Sequence, residues 1–296
     1  MAFLLAHLSD AHIGPLPIVK RRELIGKRIT GYLNWKRGRS AAHDMSVLGH
    51  LVDDLRAQSP SHVAMTGDIM NIGLPGEFLL ADTWLRTLGA PGEEVSFVPG
   101  NHDAYTKGVL PALARTFAPW IKSDATGLSG YPYLKERGSV ALIGLCSGVP
   151  TAPFIASGRL GAVQCAAFEQ LLRETGARGL TRVVMLHHPP CLRGTKVGRG
   201  LSDASAFAAI VRRAGAELIL HGHNHKPSVH YLRGPDRPVP VVGVSSASAF
   251  SRTEGRQASY HLFSIEGAGP NVRIEARVRG VIAGKGQIGD LGPISL

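Results

Sequence analysis

Acids and cysteines are scarce in this chain. Of 296 residues only 22 are Asp or Glu, against 33 Lys or Arg, which leaves a formal net charge of +11. A chain so short of acid favours anionic partners: phosphorylated substrates, nucleic acid or an anionic membrane surface. Cysteine occurs three times, as Cys146, Cys165 and Cys191, an odd number at scattered spacings. That pattern argues against a disulfide framework and fits a reducing cytoplasm. No apolar run approaches the roughly 20 residues needed to cross a bilayer. The run from Met1 to Leu8 lacks a basic start and meets Asp10 too early for a secretory signal. The expected location is therefore the cytoplasm, with peripheral contact at the inner membrane surface left open by the charge.

What is present is an ordinary globular balance, 44% hydrophobic and 19% charged. The length allows one large or two ordinary domains. Neither an internal repeat nor a dividing linker is evident, so a single domain over residues 1–279 is expected, followed by a glycine-rich and poorly ordered tail over 280–296. Short apolar runs at Phe3–Leu8, His62–Met65, Val95–Val98, Arg182–Leu186 and Leu218–Leu220 read as buried strands. Helical periodicity between them appears at 41–58, 78–88, 161–174 and 204–214. Strand, loop and helix in alternation predict an α/β architecture. Residues 239–244, 260–265 and 272–279 read as antiparallel strands.

One segment departs from this pattern. Pro15 to Ser40 holds eight basic residues, Lys20, Arg21, Arg22, Lys27, Arg28, Lys36, Arg37 and Arg39, against the single acid Glu23. Ile18, Ile25, Ile29 and Tyr32 fall near helical spacing, which predicts a basic amphipathic helix or flap. It reads equally as a solvated surface helix, a lid over an anionic substrate or a surface for anionic lipid.

Asp10, His12, Asp68, Asn101, His187, His223 and His225 each lie just beyond a short apolar run. Taken singly, Gly100-Asn101-His102-Asp103 or Asp10-x-His12 is no more than a turn. Taken in order, five such loops point to a common centre, because parallel strands carry their C-terminal ends to one edge. Seven nitrogen and oxygen donors exceed what one tetrahedral zinc accepts. They suit two cations of the Mn, Fe, Co, Ni or Zn type, about 3.5–4 Å apart.

The ordered set Asp10-x-His12, Gly67-Asp68-x-x-Asn71, Gly100-Asn101-His102-Asp103, His187-x-Pro189 and Gly222-His223-x-His225 resembles the signature of the calcineurin-like metallophosphoesterase superfamily. Order and spacing are most similar to its bacterial class III cyclic-nucleotide phosphodiesterase and glycerophosphodiesterase branch. The resemblance implies a four-layer α/β/β/α sandwich. It also implies that one metal is held by Asp10, His12 and His225 and the other by Asn101, His187 and His223, with Asp68 bridging. Two such cations lower the pKa of a shared water, and the hydroxide attacks phosphorus. His102 is then the expected donor to the leaving group or to a phosphoryl oxygen, and Asp103 the residue that orients it. Asn71 is expected to fix the loops and His188 to pack behind His187, while His7, His43, His50, His62, His221, His230 and His261 are expected to serve structure.

The motifs leave the substrate open. Two basic segments adjoin the ligands, and they nominate Arg21, Arg22, Arg193, Lys196 and Arg199 as substrate contacts. A cyclic nucleotide or glycerophosphodiester is the expected substrate. The charge excess of residues 15–40 keeps open a lipid-linked nucleotide, as for relatives similar to the UDP-2,3-diacylglucosamine pyrophosphohydrolases. A nuclease and a non-catalytic scaffold are weaker readings, nucleic acid is not an expected partner, and a homo-oligomer is left open.

Overall fold

The computed structural model describes residues 2–124, 126–191, 198–251, 253, 255–283 and 287–296. In chain order its strands are β1 Phe3–Leu8, β2 His62–Met65, β3 Val95–Phe97, β4 Tyr133–Arg137, β5 Val140–Gly144 and β6 Thr181–Met185. They continue as β7 Leu218–His221, β8 Ser228–Arg233, β9 Pro238–Gly243, β10 Ser259–Glu266, β11 Arg273–Val281 and β12 Ile288–Ile294. The helices are α1 Lys27–Arg37, α2 Met45–Ala57, α3 Pro75–Leu85, α4 Leu110–Thr116, α5 Ala162–Ala177 and α6 Ala204–Ala214.

Two six-stranded sheets form, ordered β12-β11-β10-β1-β2-β3 and β4-β5-β6-β7-β9-β8. β1, β2 and β3 run parallel, as do β5, β6, β7 and β9. Side chains of the second sheet alternate between two cores, as a period of two requires. Val140, Leu142, Val183 and Met185 face the first sheet, in the same core as Leu51 and Leu55 of α2. Ala141, Ile143, Val184 and Ile219 face Phe168 of α5 and Phe207 of α6. Helices outside and sheets inside make a four-layer α/β/β/α sandwich.

Two segments differ from the sequence expectation. The tail is not poorly ordered where it is described: β12 pairs antiparallel with β11, and Ile288, Ile294 and Leu296 pack on the core. Apolar residues at those positions outweigh the glycines between them. In the basic segment the helix starts late, at Lys27, after a 3-10 turn at Arg21–Glu23 and Gly26 at φ 71°. Ile18 and Ile25 therefore fall outside its register and are exposed, while Leu16, Val19, Leu24 and Tyr32 pack on Ile72, Leu74 and Tyr105. Helix α1 is firmly docked. Arg28 donates to the carbonyls of Ile72 at 3.3 Å and Gly73 at 2.6 Å. A Cβ on Gly31 would meet the Tyr105 hydroxyl at 2.2 Å, so the helix backbone lies against that ring.

Beneath the sheet edge lie buried histidines. Burial pushes His62 and His261 down to about 3, and both are neutral. The unfolded chain, with ordinary imidazoles near 6.5, binds more protons between those two values. Stability from these side chains is thus complete above about pH 6.5 and is lost as pH falls. Chemical denaturation across pH 6.5–5 should show the unfolding free energy dropping by about 1.4 kcal/mol per pH unit for each histidine. His62→Gln should make the slope shallower by one proton; a flat profile in the parent chain would contradict the assignment.

Candidate metal centre

Five loops leave the C-terminal ends of β1, β2, β3, β6 and β7, and the expected ligands ride on them. Among described non-glycine residues, seven have φ between +41° and +71°: Asp10, His12, Ser59, Asp68, Phe154, His223 and His225. Five of these are expected ligands. Left-handed backbone is strained for such residues and collects at sites where side chains must be aimed. Two glycines make the turns fit. A Cβ on Gly100 would sit 2.1 Å from Asp68 Oδ1, and one on Gly222 would sit 1.9 Å from Ser9 Oγ and 2.5 Å from Asp10 Oδ2.

The ligand atoms meet. His225 Nε2 lies 3.1 Å from Asp10 Oδ1 and 3.3 Å from His12 Nε2. His187 Nε2 lies 3.2 Å from Asp68 Oδ2 and 3.3 Å from His223 Nδ1. His12 Nε2 lies 3.9 Å from both Asp10 Oδ1 and Asp68 Oδ2. Two of these rings are held from behind: His12 Nδ1 donates to the Met70 carbonyl at 3.1 Å and His187 Nδ1 to the Thr66 carbonyl at 2.7 Å. A carbonyl behind a ring sends the other nitrogen forward as a donor, as in metal sites. Three buried atoms of the set, Asp10 Oδ1, Asn101 Oδ1 and His223 Nε2, make no hydrogen bond among the described residues. Buried polar atoms without partners are costly unless a cation takes their lone pairs. The residues present fit two divalent ions.

Electrostatics agree. Burial works against the Asp68 carboxylate, but His187 and His102 outweigh it and hold it well below the ordinary range. Burial also opposes the His187 imidazolium, yet Asp68 raises that ring to about 9.

The residues around the ligands depart from expectation in an instructive way. Asp103 was expected to orient His102. Its carboxylate instead accepts four backbone amides, of Asp68 at 2.7 Å, Gly100 at 2.8 Å, and Ile69 and Met70 at 3.0 Å. What orients His102 is the Asn71 carbonyl, which accepts from its Nδ1. Asn71 also donates its side-chain amide to the Ile13 carbonyl at 2.7 Å, tying the β1 and β2 loops together. His188 Nδ1 bonds Ser147 Oγ at 2.8 Å, and its Nε2 is buried without a partner among the described residues. The ligand atoms of His187, His188 and His223 all lie within 4.8 Å of one another.

A cavity of about 450 Å³ opens beside Asn101 and His102. Lys27, Arg37, Arg39 and Arg199 bring positive charge to its wall, and Tyr105 and Phe154 bring aromatic surface. Of the nominated substrate cations only Arg199 is there. Arg21 and Arg22 are exposed on a 3-10 turn and do not line it, and Arg193 and Lys196 lie outside the described residues. Sequence reasoning missed Lys27 and Arg39, and it missed His43. The His43 ring centroid is 4.6 Å from that of His12, and its ligand atoms lie within 4.8 Å of those of His12 and His225. No motif carries His43; only its place just before α2 brings it there.

Fold and site define a class: a two-sheet sandwich with a cluster of acids and imidazoles at the strand ends. Residues 3–227 match the calcineurin-like phosphoesterase family, and the chain belongs to it. A probable cyclic nucleotide phosphodiesterase of Synechococcus sp. is 28% identical over 176 residues, 58% of this chain and 61% of that relative. The chain thus spans less than two thirds of that protein. The glycerophosphodiester phosphodiesterase GpdQ of Enterobacter lignolyticus is 27% identical over 233 residues, 78% of this chain and 73% of the relative. Among solved structures, a dimetal phosphatase from Danio rerio superposes with a TM-score of 0.60 at 13% identity, covering 98% of each chain. At that identity the likeness is one of fold. Both relatives are named as phosphodiesterases.

Because His187 stays protonated to about pH 9 without metal, an ion must displace that proton. Calorimetric titration with manganese at pH 7, in buffers of different ionisation enthalpy, should show about one proton released from His187, with affinity rising about tenfold per pH unit towards pH 9. Uptake without proton release would contradict the arrangement.

Proposed function

We propose that the chain is a dinuclear metal-dependent phosphodiesterase acting on a phosphodiester of the cyclic nucleotide or glycerophosphodiester type. The observation that carries this reading is the gathering of acid and imidazole side chains at the strand ends of both sheets, where Asp10 Oδ1, Asn101 Oδ1 and His223 Nε2 are buried without hydrogen-bond partners among the described residues. Asp10, His12 and His225 would hold one ion, Asn101, His187 and His223 the other, with Asp68 between. When bound, such a pair supplies a hydroxide at neutral pH and positive charge for the phosphoryl oxygens. Manganese, iron, zinc, cobalt and nickel all suit this donor set.

The chain's own residues supply the rest. Asp103 keeps the 68–70 turn rigid, and the cavity cations draw an anionic substrate to the mouth. His102 needs closer reading. With Nδ1 spent on the Asn71 carbonyl, its Nε2 donates only when the ring carries both protons. Burial, then Arg39, push it down to about 3. The donating form therefore requires the negative charge of a phosphoryl group beside it, which couples proton donation to substrate binding.

Manganese-loaded protein should hydrolyse bis-p-nitrophenyl phosphate, and Asp68→Ala should lower the rate at least about 100-fold by opening the centre. His102→Ala should cost about 100-fold on a glycerophosphodiester, whose alkoxide must be protonated, and far less on the p-nitrophenyl ester, whose leaving group needs no proton. Absence of hydrolysis, or indifference to Asp68→Ala, would sink the reading.

One observation favours a membrane-derived substrate such as a lipid-linked nucleotide. Ile29 and Leu33, four apart along α1, are exposed, as is Ile25 just before the helix, with Lys36 and Arg37 on the same helix and Arg21 and Arg22 on the turn before it. An apolar stripe bordered by cations suits an anionic lipid surface. Vesicles containing phosphatidylglycerol should sediment the protein at low salt, and less of it at high salt. The triple change Lys20→Gln, Arg21→Gln, Arg22→Gln should weaken sedimentation; protein left wholly in the supernatant would rule this substrate source out.

A further inference from the structure

The cavity holds more positive charge than a simple phosphodiester can answer. Asp10 and Asp68 supply two negative charges, two divalent ions would supply four positive ones, and neutral imidazoles and Asn101 supply none. A hydroxide and one phosphodiester monoanion bring that sum to zero. Lys27, Arg37, Arg39 and Arg199 line the same cavity beyond this balance. None of the ion pairs among the described residues includes any of them. Cations grouped around a cavity without carboxylates repel one another unless an anion enters.

Arg39 makes the argument specific. Its Nη2 lies 3.2 Å from His12 Nε2, donating to that lone pair. The same lone pair is the one His12 offers to a cation, because its Nδ1 is spent on the Met70 carbonyl. One lone pair serves one acceptor role at a time. Once His12 Nε2 holds an ion, the guanidinium needs another acceptor close by, and a phosphate oxygen is the group it binds best. Lys27 Nζ donates to Thr151 Oγ1 at 2.8 Å and stands 4.6 Å above the Tyr105 ring, which holds a second cation in the cavity wall. The docking of α1 through Arg28 and Gly31 keeps this mount rigid.

We propose that Lys27, Arg39 and Arg199 form an anion subsite beside the metal centre, which receives a second phosphate carried by the substrate; this rests on the phosphodiesterase reading of that centre. The preferred substrate is then a phosphodiester or phosphoanhydride bearing a further phosphate. Phe154 flanks the subsite, 94% exposed with left-handed backbone at φ 67°, and offers a flat surface to the organic group between the phosphates.

The test uses three chromogenic probes: thymidine 5′-(p-nitrophenyl phosphate), the same ester with a 3′-phosphate, and thymidine diphosphate esterified with p-nitrophenol on its terminal phosphate. The subsite predicts a KM at least about tenfold lower for a probe with the second phosphate, from one to two added charge-assisted contacts. The 3′-phosphate and diphosphate arms tell whether that phosphate is a separate monoester or part of an anhydride. Binding is measured independently of turnover by calorimetry, comparing thymidine 3′,5′-bisphosphate with thymidine 5′-monophosphate, with and without manganese. The bisphosphate should bind more tightly in both states, and the preference should widen with manganese, when His12 no longer occupies Arg39. The double change Lys27→Gln, Arg199→Gln should shrink the preference below threefold, and Lys27→Arg, Arg199→Lys should restore it. Equal affinities in the manganese-loaded protein, or a preference that survives the glutamine variant, would overturn the subsite. Preferential bisphosphate binding without hydrolysis of any diester would overturn the phosphodiesterase reading and leave the subsite standing.

Discussion

Asp103 accepts the amides of Asp68, Ile69, Met70 and Gly100 in a place sealed from water. This one carboxylate ties the turn after β2 to the turn after β3. Leaving a buried backbone amide without its acceptor costs about 1–3 kcal/mol. Without these bonds the Asp68 turn would have no reason to stay left-handed, and the residue expected between two metal ions would lose its aim. The Gly100 approach to Asp68 depends on the same knot. The candidate metal centre is therefore built on backbone that the Asp103 carboxylate holds in place.

Strain and burial are balanced across this edge. Asp10, His12, Asp68, His223 and His225 each keep a left-handed backbone, a conformation that costs roughly 1–3 kcal/mol. The two cores on either side of the second sheet hold the strands in place and oppose relaxation of these turns. Relaxing any one of them would turn a donor away from the others. His12 Nε2 lies 3.3 Å from His225 Nε2, and His187 Nε2 lies 3.3 Å from His223 Nδ1, so the ring nitrogens of each pair face one another. Such an assembly is comfortable only around positive charge.

Much of this was legible in the sequence, and the remainder shows where sequence stops. The strands of the parallel edges and the residues beyond them were readable because each motif is local and its order along the chain reports the order of the strands. The role of Asp103 was not, nor was that of the Asn71 carbonyl behind His102, since they depend on which group lies across the loop. Asp103, beside His102 in sequence, spends its carboxylate on backbone amides instead. His43 carried no motif and reached the site through the packing of α2. In the basic segment the charge was plain but its use was not: the helix begins only after Gly26, with Lys27 and Arg39 lining the cavity while Arg21 and Arg22 stay outside it. The tail misled because its glycines suggested disorder, while Ile288 and Ile294 had a core to pack on.

The central claim is that the seven donors form a site for two ions with Asp68 shared between them. Elemental analysis of the protein, loaded with manganese and dialysed free of excess metal, tests it without reference to any substrate. The account predicts two ions per chain, and the loss of most of both when Asp68 is changed to Ala. A single ion, no ion, or two ions retained by Asp68→Ala would contradict it.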